Sequence, residues 1–469
     1  MRLEVESLLF SSFTFIFLFL PFSILGYYLI PNKAKNIFLL CISLFFYAWG
    51  NIRYLILLLI SICINYFFAI LISSKKEKKR MMFWLCIVFN IGILFYFKYF
   101  TFTLSLLERI LHFSIPSHSI VLPIGISFYT FQGLSYVIDV YRQKTPANKN
   151  IIELGLYISL FPQLVAGPIV KYQDVYQQIK HRVSSIPTFA YGIERFIFGL
   201  SKKVMISNVL GEVSDKIFQS LSSGIDTPTA WLGILCYTFQ IYFDFSGYSD
   251  MAIGLGSMFG FHFYENFNYP YISKSINEFW RRWHISLSSW FKEYVYIPLG
   301  GSRKGNVYIN LFIVFCITGL WHGAALTFII WGLWHGMFVI IGKFKERHYK
   351  IQIPLCIQWF TTMLIVMIGW VFFRASSLSE AFHYLKILIG GSSVVQPQLQ
   401  ASYYLDGRIC FTLLISIICS TPLFHSMNEQ WKMSTKYYLI KVIWLCILFI
   451  FCIVYLINNT YNPFIYFQF

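Results

Sequence analysis

The sequence predicts an all-α membrane protein in which a bundle of helices crosses the bilayer several times. Of the 469 residues, 57% are hydrophobic and only 12% are charged, whereas soluble domains carry about 25% charged residues. The apolar residues also fall in long uninterrupted runs, and a helix needs about 20 such residues to cross the hydrocarbon core. Most of the runs approach or exceed this length; they cover 8–30, 37–49, 54–72, 81–104, 307–342, 357–373, 409–424 and 439–457.

The continuity of these runs favours helices over membrane strands, which would alternate in polarity over about ten residues. The chain has room for about ten or eleven spanning or half-spanning helices. The first run is interpreted as a retained helix because no signal-peptide cleavage site follows it. We predict a single membrane domain over 1–469, with peripheral helices at 1–121, a catalytic core at 122–345 and carboxyl-terminal helices at 346–469.

The net charge of +17 is interpreted as membrane topology, not as affinity for nucleic acid. Basic clusters flank the apolar runs at 33–35, 75–80, 343–350 and 432–436. Such clusters mark cytoplasmic loops, and this assignment places both termini on the outside. The ten cysteines include no CxxC pair, so they are predicted to be small apolar side chains and not metal ligands or disulfides.

The centre of the chain, from 122 to 305, differs from the ends because proline, glycine and charged residues interrupt its apolar segments. Examples are "LPIGISFYTFQ", "LYISLFPQLVAGPIVKY" and "YTFQIYFDFSGYSDMAIGLG". Broken helices at membrane depth are tolerated only where they are buried in protein or line a wet cavity. The sequence therefore predicts broken helices around a central tunnel, with the cleaner helices shielding it from lipid.

Asp244 and Asp250 lie within one of these segments, "FDFSGYSD". Ionisable residues inside a membrane are costly and mark candidate functional sites. On an unbroken helix these two carboxylates would point about 240° apart, and the intervening "SGYS" predicts a break between them. For Asp244 we favour a structural ion pair with Arg281 or Lys203; a direct chemical role and ion coupling are the alternatives.

The segment from Phe279 to Tyr296 is predicted to form one amphipathic helix at the level of the lipid headgroups. A 3,4-spaced stripe carries its tryptophans, and the arginines fall on the opposite side. Glu278 is placed to form an ion pair with Arg282 four residues later, and Pro298 ends the helix. His284 lies at the edge of the aromatic stripe, where it can turn inward. The alternative is a plain interfacial anchor with an incidental histidine.

The following stretch, 307–342, contains no carboxylate, lysine or arginine, but it contains His322 and His335. A single helix of this length would measure about 54 Å, well beyond the hydrocarbon core of ~30 Å. The stretch must therefore turn, and "WHGAA" is the natural place. This puts His322 at a break deep in the membrane, where the neighbouring glycine allows close approach. We predict a catalytic role for His322; a hydrogen-bonded structural role is the alternative, and it is the one favoured for His335.

A neutral buried imidazole can act as a general base that takes a proton from a hydroxyl group as it attacks an acyl thioester. Other arrangements for acyl chemistry are missing. The HxxxxD pattern is absent, since Ser289 lies five residues beyond His284 and Thr327 five beyond His322. No GxSxG or HExxH motif is present, and we expect no metal site.

These segments resemble the membrane-bound O-acyltransferase family, and in particular its bacterial branch of alginate O-acetylating proteins. The resemblance covers most of the chain and follows an ordered set of motifs. They are "LPIGISFYTFQ", "FPQLVAGPIVKY", "YTFQIYFDFSGYSDMAIGLG", "ENFNYPYISKSINEFWRRWHISLSSWFKEYVYIPLGG", "GLWHGAALTFIIWGLWHG", "WVFFRA" and "NPFIYFQF".

The resemblance implies that His322 is the essential catalytic residue and that His284 lies on the cytoplasmic approach to the same tunnel. It implies transfer of an acyl group, usually acetyl, from a cytoplasmic thioester such as acetyl-coenzyme A, which is a substrate and not a bound cofactor. The implied acceptors are hydroxyls of an extracytoplasmic polysaccharide, either an alginate-like exopolysaccharide or a cell-wall glycan. An SGNH esterase-like partner often completes delivery, and the implied location is the bacterial inner membrane.

A basic cytoplasmic mouth would suit the phosphates of coenzyme A. The residues predicted to bind the donor there are Arg281, Arg282, Lys202 and Lys203. The alternative for each is an ordinary positive charge of a cytoplasmic loop. No nucleic-acid partner is expected.

Two other functions stay open from the sequence. Within the family, the acyl group could be D-alanine transferred to teichoic acid. In a different class, a transporter or flippase would use Asp244 and Asp250 to carry ions or lipid-linked sugar. A transporter would work without an acyl donor and would be insensitive to loss of His322.

Overall fold

All regular secondary structure in the described part of the chain is helical. The computed structural model describes residues 8–74, 77–112, 120–165, 167–348, 353–391, 400–423, 435–458, 461–463 and 465. Within these ranges it contains no strand, which confirms the predicted all-α class.

The helices fall in two compact units. Two of the three boundaries lie inside α10 and α12, and the third lies between α12 and α13. The first unit is Met1–Phe196 with Tyr248–Tyr264. Its helices are α1 (Leu20–Leu29), α2 (Lys35–Gly50), α3 (Ile52–Ser74), α4 (Lys79–Leu94), α5 (Phe100–Leu111), α6 (Ile126–Tyr141), α7 (Ile151–Ser159), α8 (Phe161–Leu164), α9 (Tyr172–Lys180) and most of α10 (Ile186–Ser201).

The second unit is Ile197–Gly247 with Glu265–Phe469 and contains the predicted histidines. Its helices are α11 (Asn208–Gln219), most of α12 (Thr227–Met258), α13 (Ile276–Arg282), α14 (Ile285–Phe291), α15 (Val307–His322), α16 (Leu326–His348), α17 (Leu355–Arg374), α18 (Leu378–Leu388), α19 (Ala401–Tyr404), α20 (Gly407–Cys419) and α21 (Thr435–Asn458). The division at 121 and 345 stays a prediction.

Several helices are long and apolar enough to cross a membrane, so the chain is a multi-pass membrane protein. Among the described residues there are five such helices: Ile52–Ser74, Lys79–Leu111, Leu326–His348, Leu355–Arg374 and Tyr438–Asn458. Three shorter apolar helices accompany them: Phe15–Leu29, Val307–His322 and Gly407–Cys419. Only 6% of the most apolar stretch within Tyr438–Asn458 of α21 is buried inside the protein. Most of its side chains are therefore available for contact with lipid.

The predicted break between Asp244 and Asp250 is wrong, because α12 continues through both residues as one helix from Thr227 to Met258. The glycine in "SGYS" serves a close helix–helix approach and does not interrupt the helix. A Cβ at Gly247 would lie 2.7 Å from the backbone carbonyl oxygen of Gly199 in α10. Small residues of this kind let membrane helices pack closely.

The predicted turn at "WHGAA" is confirmed. α15 ends at His322 and α16 begins at Leu326, so the apolar stretch returns as a helical hairpin. A Cβ at Gly319 would lie 2.6 Å from the carbonyl oxygen of Phe328, which shows how closely the two helices approach. α15 has 16 residues and is about 24 Å long at 1.5 Å per residue. His322 therefore lies most of a membrane thickness away from the helix start.

Candidate active site

The segment predicted as one helix from Phe279 to Tyr296 is broken at His284, so that prediction is wrong. α13 ends at Arg282, and His284 adopts the left-handed conformation with φ 43° and ψ 57° before α14 begins. Non-glycine residues in this region cost about 1–3 kcal/mol and persist only where the surroundings enforce them. Here the backbone N–H of Ile285 donates to the carbonyl of Asn266 at 2.9 Å, so a distant loop replaces the hydrogen bond of a continuous helix.

Asn266 also fixes the ring of His284, which is only 1% exposed. The amide oxygen of Asn266 lies 3.1 Å from Nδ1 of His284 and accepts hydrogen bonds from Ser286 through its backbone N–H at 3.2 Å and its Oγ–H at 2.9 Å. Because this oxygen can only accept, Nδ1 of His284 carries the proton and donates it. In the neutral ring the lone pair is then on Nε2.

His322 is the last residue of α15 and is 3% exposed. Its ring packs edge-to-face against three aromatic rings, those of Trp321, Trp331 and Phe373, with centroid distances of 4.9, 4.7 and 5.3 Å. The carboxyl end of a helix carries partial negative charge, which favours a cation there by roughly 0.3–1 kcal/mol at exposed sites and up to ~2 kcal/mol in partly buried ones. His322 therefore lies at the negative end of the α15 dipole.

The rings of both predicted histidines lie against a single indole, that of Trp321. The ring of Trp321 is 4.9 Å from that of His322 and 6.3 Å from that of His284. Phe245 of α12 packs on His284 with a centroid distance of 4.5 Å. Two imidazoles that are distant in sequence thus share one aromatic environment, and their common catalytic role stays a prediction.

Asn266 and Trp331 were not among the predicted site residues. Trp331 contacts His322 and also His335, with ring centroids 5.3 Å apart. The available signal for Asn266 was a polar amide inside the quoted "ENFNYPY" motif, and for Trp331 a tryptophan one helical turn before His335. Neither pattern alone distinguishes such a residue from an ordinary core side chain.

Asp244 forms the predicted structural ion pair with Lys203, with 2.6 Å between Nζ and Oδ1. Both side chains are buried, at 3% and 1% exposure. Lys203 also donates to the carbonyl of Pro463, and the N–H of Ile465 donates to Asp244 at 3.0 Å. The end of the chain therefore completes this buried charged cluster.

The four residues predicted to bind the donor differ in their surroundings. The ammonium of Lys203 is occupied by Asp244. Arg282 forms the predicted ion pair with Glu278 at 2.9 Å and donates to the carbonyl of Asn268 at 3.0 Å. Arg281 is exposed and Lys202 is half-buried. Their contact with a donor stays a prediction.

Loss of the Asn266 side chain should lower the turnover rate without unfolding the protein. In Asn266→Ala, the imidazole of His284 and both donors of Ser286 lose their acceptor, at a cost of about 1–3 kcal/mol for each unsatisfied group. We expect acyl transfer to fall about 10- to 100-fold, by 1.4 kcal/mol per factor of ten. Asn266→Asp keeps an acceptor oxygen and should recover most of the rate. Full activity of Asn266→Ala in a transfer assay would exclude a positioning role.

The second unit thus holds three buried imidazoles, those of His284, His322 and His335. His322 ends an apolar helix, and His284 is fixed by an amide. In the part of the chain that the structure describes, no three His, Cys, Asp or Glu side chains group as metal ligands. Comparison with known proteins identifies the family. The model of the membrane-bound O-acyltransferase family matches residues 141–379. The chain belongs to this family and is an O-acyltransferase.

The chain is similar to several bacterial proteins. It is 46% identical to the probable alginate O-acetylase AlgI of Pseudomonas aeruginosa over 387 residues, which cover 80% of this chain and 74% of that protein. It is 35% identical to the peptidoglycan O-acetyltransferase of Helicobacter pylori, over 100% of this chain and 98% of that protein. It is 28% identical to the teichoic acid D-alanyltransferase of Bacillus subtilis, over 55% of this chain and 68% of that protein.

Proposed function

We propose that this enzyme O-acetylates an extracytoplasmic polysaccharide, with acetyl drawn from a cytoplasmic thioester such as acetyl-coenzyme A and with His322 as the general base. The observation that carries the proposal is the placement of His322. It lies buried at the end of an apolar helix, against Trp321 and close to His284, in a chain of an O-acyltransferase family.

In the proposed reaction, the oxygen of an acceptor hydroxyl attacks the carbonyl carbon of the acetyl thioester. His322 takes the hydroxyl proton as the new C–O bond forms. The C–S bond then breaks, and the imidazolium returns the proton to the leaving thiolate. The products are an acetyl ester and a free thiol, and His322 is again neutral.

His284 is proposed to face the same reacting groups from the donor side. Its Nδ1–H is held by Asn266, so its Nε2 lone pair can accept a hydrogen bond from an amide or hydroxyl of the incoming donor. Because the ring orientation is fixed in advance, binding does not have to order it.

The donor is proposed to bind through its phosphates at Arg281 and Lys202, since exposed or half-exposed cations can pair with a soluble anion. Arg282 lies beside Arg281 and adds to the local positive potential. Lys203, whose charge is balanced by Asp244, would contribute mainly by holding the site together. This assignment places the donor on the cytoplasmic side, where the basic loops are expected.

The acceptor is proposed to be alginate or a related exopolysaccharide, with peptidoglycan as the second candidate. Support comes from the names of the similar proteins, an alginate O-acetylase at 46% identity and a peptidoglycan O-acetyltransferase at 35% identity. D-alanyl transfer to teichoic acid is less well supported, because that similarity covers only 55% of this chain. We place the enzyme in the bacterial inner membrane, where an SGNH esterase-like partner would pass the acetyl group onward.

Removal of the gene from its bacterium should reduce the acetyl content of one surface polymer and leave the polymer itself intact. The measurement is mass analysis of alginate-like exopolysaccharide and of peptidoglycan from cells with and without the gene. Restoration by the wild-type gene, but not by one encoding His322→Gln, is the expected control. Unchanged acetylation of both polymers, together with loss of D-alanine from teichoic acid, would replace this proposal by its alternative.

A further inference from the structure

Three aromatic side chains beside His322 lie in mutual contact: Trp280 of α13, and Trp331 and His335 of α16. Their ring centroids are 5.2 Å apart for Trp280 and His335, 5.7 Å for Trp280 and Trp331, and 5.3 Å for Trp331 and His335. We call this group the Trp–His triad. The ring of Trp331 also lies 4.7 Å from that of His322, so the triad adjoins the proposed base.

The triad concentrates polar atoms that lack a protein partner. Nε1 of Trp280, Nε1 of Trp331 and both ring nitrogens of His335 are buried and form no hydrogen bond with any residue that the structure describes. Buried polar groups nearly always have a partner, because an unbonded one is costly. Several such atoms in one cluster therefore indicate a place where a bound molecule supplies the partners.

The backbone of α17 makes room for this arrangement. A Cβ at Gly369 would lie 2.5 Å from Nε2 of His335, which is too close for two non-bonded atoms. Glycine at this position is thus what allows the imidazole to occupy its place in the triad. The close approach of α17 to Nε2 of His335 shows that this imidazole is tightly packed.

The hydrogen-bond donors and acceptors of the triad indicate which chemical group it can bind. Each indole supplies one N–H, and a neutral imidazole supplies one N–H and one lone pair. Three donors and one acceptor fit a group with oxygen lone pairs, such as a carbonyl. A bound primary ammonium would bring three further N–H donors, and the imidazole lone pair of His335 would be the one acceptor that the triad offers it.

The ring contacts of the triad with the described residues involve no carboxylate. The rings that pack against the triad belong to aromatic residues without a carboxylate: Phe279, Phe315, His322, Trp370 and Phe373. The carboxylate nearest in sequence, that of Glu278, is bonded to Arg282.

We propose that the Trp–His triad binds the carbonyl oxygen of the acyl thioester and selects a neutral acyl group, such as acetyl, over an aminoacyl group. This proposal rests on the proposed function, because it names the acyl subsite of that reaction. The carbonyl is held by indole and imidazole N–H groups next to His322, and the small acetyl methyl is left among aromatic rings. A D-alanyl group would place its ammonium in the same apolar surroundings.

The test compares binding of acetyl-coenzyme A with binding of coenzyme A, using the full chain in lipid nanodiscs. The two probes differ by the acetyl group, so their difference reports the acyl subsite alone. We expect the wild type to prefer acetyl-coenzyme A about tenfold, as one or two hydrogen bonds allow. Trp280→Phe and Trp331→Phe, which remove an indole N–H and keep an aromatic ring, should each lose this preference.

Trp334→Phe is the matched control on the same helix, because the N–H of Trp334 donates to the carbonyl of Ile365 at 2.9 Å and lies outside the triad. It should keep the preference for acetyl-coenzyme A. Thermal unfolding of each variant identifies any that has lost its fold, and the half-buried position of Trp280 makes Trp280→Phe the milder of the two changes.

A second measurement supplies D-alanyl-pantetheine and acetyl-pantetheine in competition. Indole faces can attract cations, so equal or preferred use of the D-alanyl thioester would overturn the selectivity. An unchanged preference for acetyl-coenzyme A over coenzyme A in both triad variants would overturn the subsite. These results differ from failure of the proposed function, in which the wild type binds acetyl-coenzyme A selectively but acetylates no polysaccharide.

Discussion

Replacement of His322 by glutamine should reduce acyl transfer at least about 100-fold, because general-base catalysis contributes roughly 10²- to 10⁴-fold. Glutamine is similar in size and keeps polar atoms at the end of α15, so the packing against Trp331 and Phe373 should survive. The property that His322→Gln removes is the ability of the side chain to accept a proton. The measurement is the rate of transfer from acetyl-coenzyme A in nanodiscs, with donor binding followed separately.

The matched control is His383→Gln, which changes an exposed histidine on α18 of the same unit and should leave the rate unaltered. If His322→Gln kept the wild-type rate, His322 would not be the base and the proposed mechanism would fail. The same variant separates an enzyme from a transporter. A transporter would move its substrate without acyl donor and would tolerate the loss of this imidazole.

His322 and Asn266 should differ in which replacement side chains preserve activity. In the proposed mechanism His322 takes part in the proton transfer, so no other side chain without a titrating group near neutral pH should replace it. Asn266 is proposed to act by holding the ring of His284 with its amide oxygen, so a carboxylate oxygen in its place should suffice. A variant series that showed rescue at 322 and none at 266 would reverse these two assignments.

The turn at His322 could be predicted because it follows from length alone. An apolar stretch from 307 to 342 is too long for one crossing, and the glycine of "WHGAA" was the available break. The ion pair of Asp244 could be predicted for a similar reason, since a carboxylate at membrane depth requires a partner. Both inferences use constraints that the bilayer imposes on any sequence.

The break at His284 could not be predicted, because its cause lies 18 residues away in sequence. The periodicity of 279–296 is compatible with one helix, and local propensity gives no reason to stop at a histidine. Hydrogen bonds from the loop around Asn266 decide the conformation, and these are tertiary contacts. At Gly247 a helix break was predicted where none exists. The glycine was interpreted as a helix breaker, whereas it allows α10 to approach α12 closely.

Removal of one partner from the Lys203–Asp244 pair should destabilise the protein strongly. In Lys203→Met the carboxylate of Asp244, 1% exposed, loses its counter-ion, and an uncompensated buried charge costs about 3–5 kcal/mol. The backbone N–H of Ile465 still donates to this carboxylate, but one neutral donor does not balance a full charge. We expect a clear fall in the midpoint of thermal unfolding of the purified protein.

The double variant Lys203→Met/Asp244→Leu should regain much of the lost stability, because replacing both buried charges by apolar groups is often neutral. Recovery should be incomplete, since the carbonyl of Pro463 and the N–H of Ile465 also lose their partners. The matched control is Lys216→Met on α11, whose ion pair with Glu212 is largely exposed, at 58% for the lysine side chain. Exposed pairs contribute about 0–1 kcal/mol, so this change should barely alter the unfolding midpoint. Equal shifts of the unfolding midpoint in Lys203→Met and Lys216→Met would contradict this prediction. They would show that the buried pair and its contacts with Pro463 and Ile465 do not stabilise the second unit.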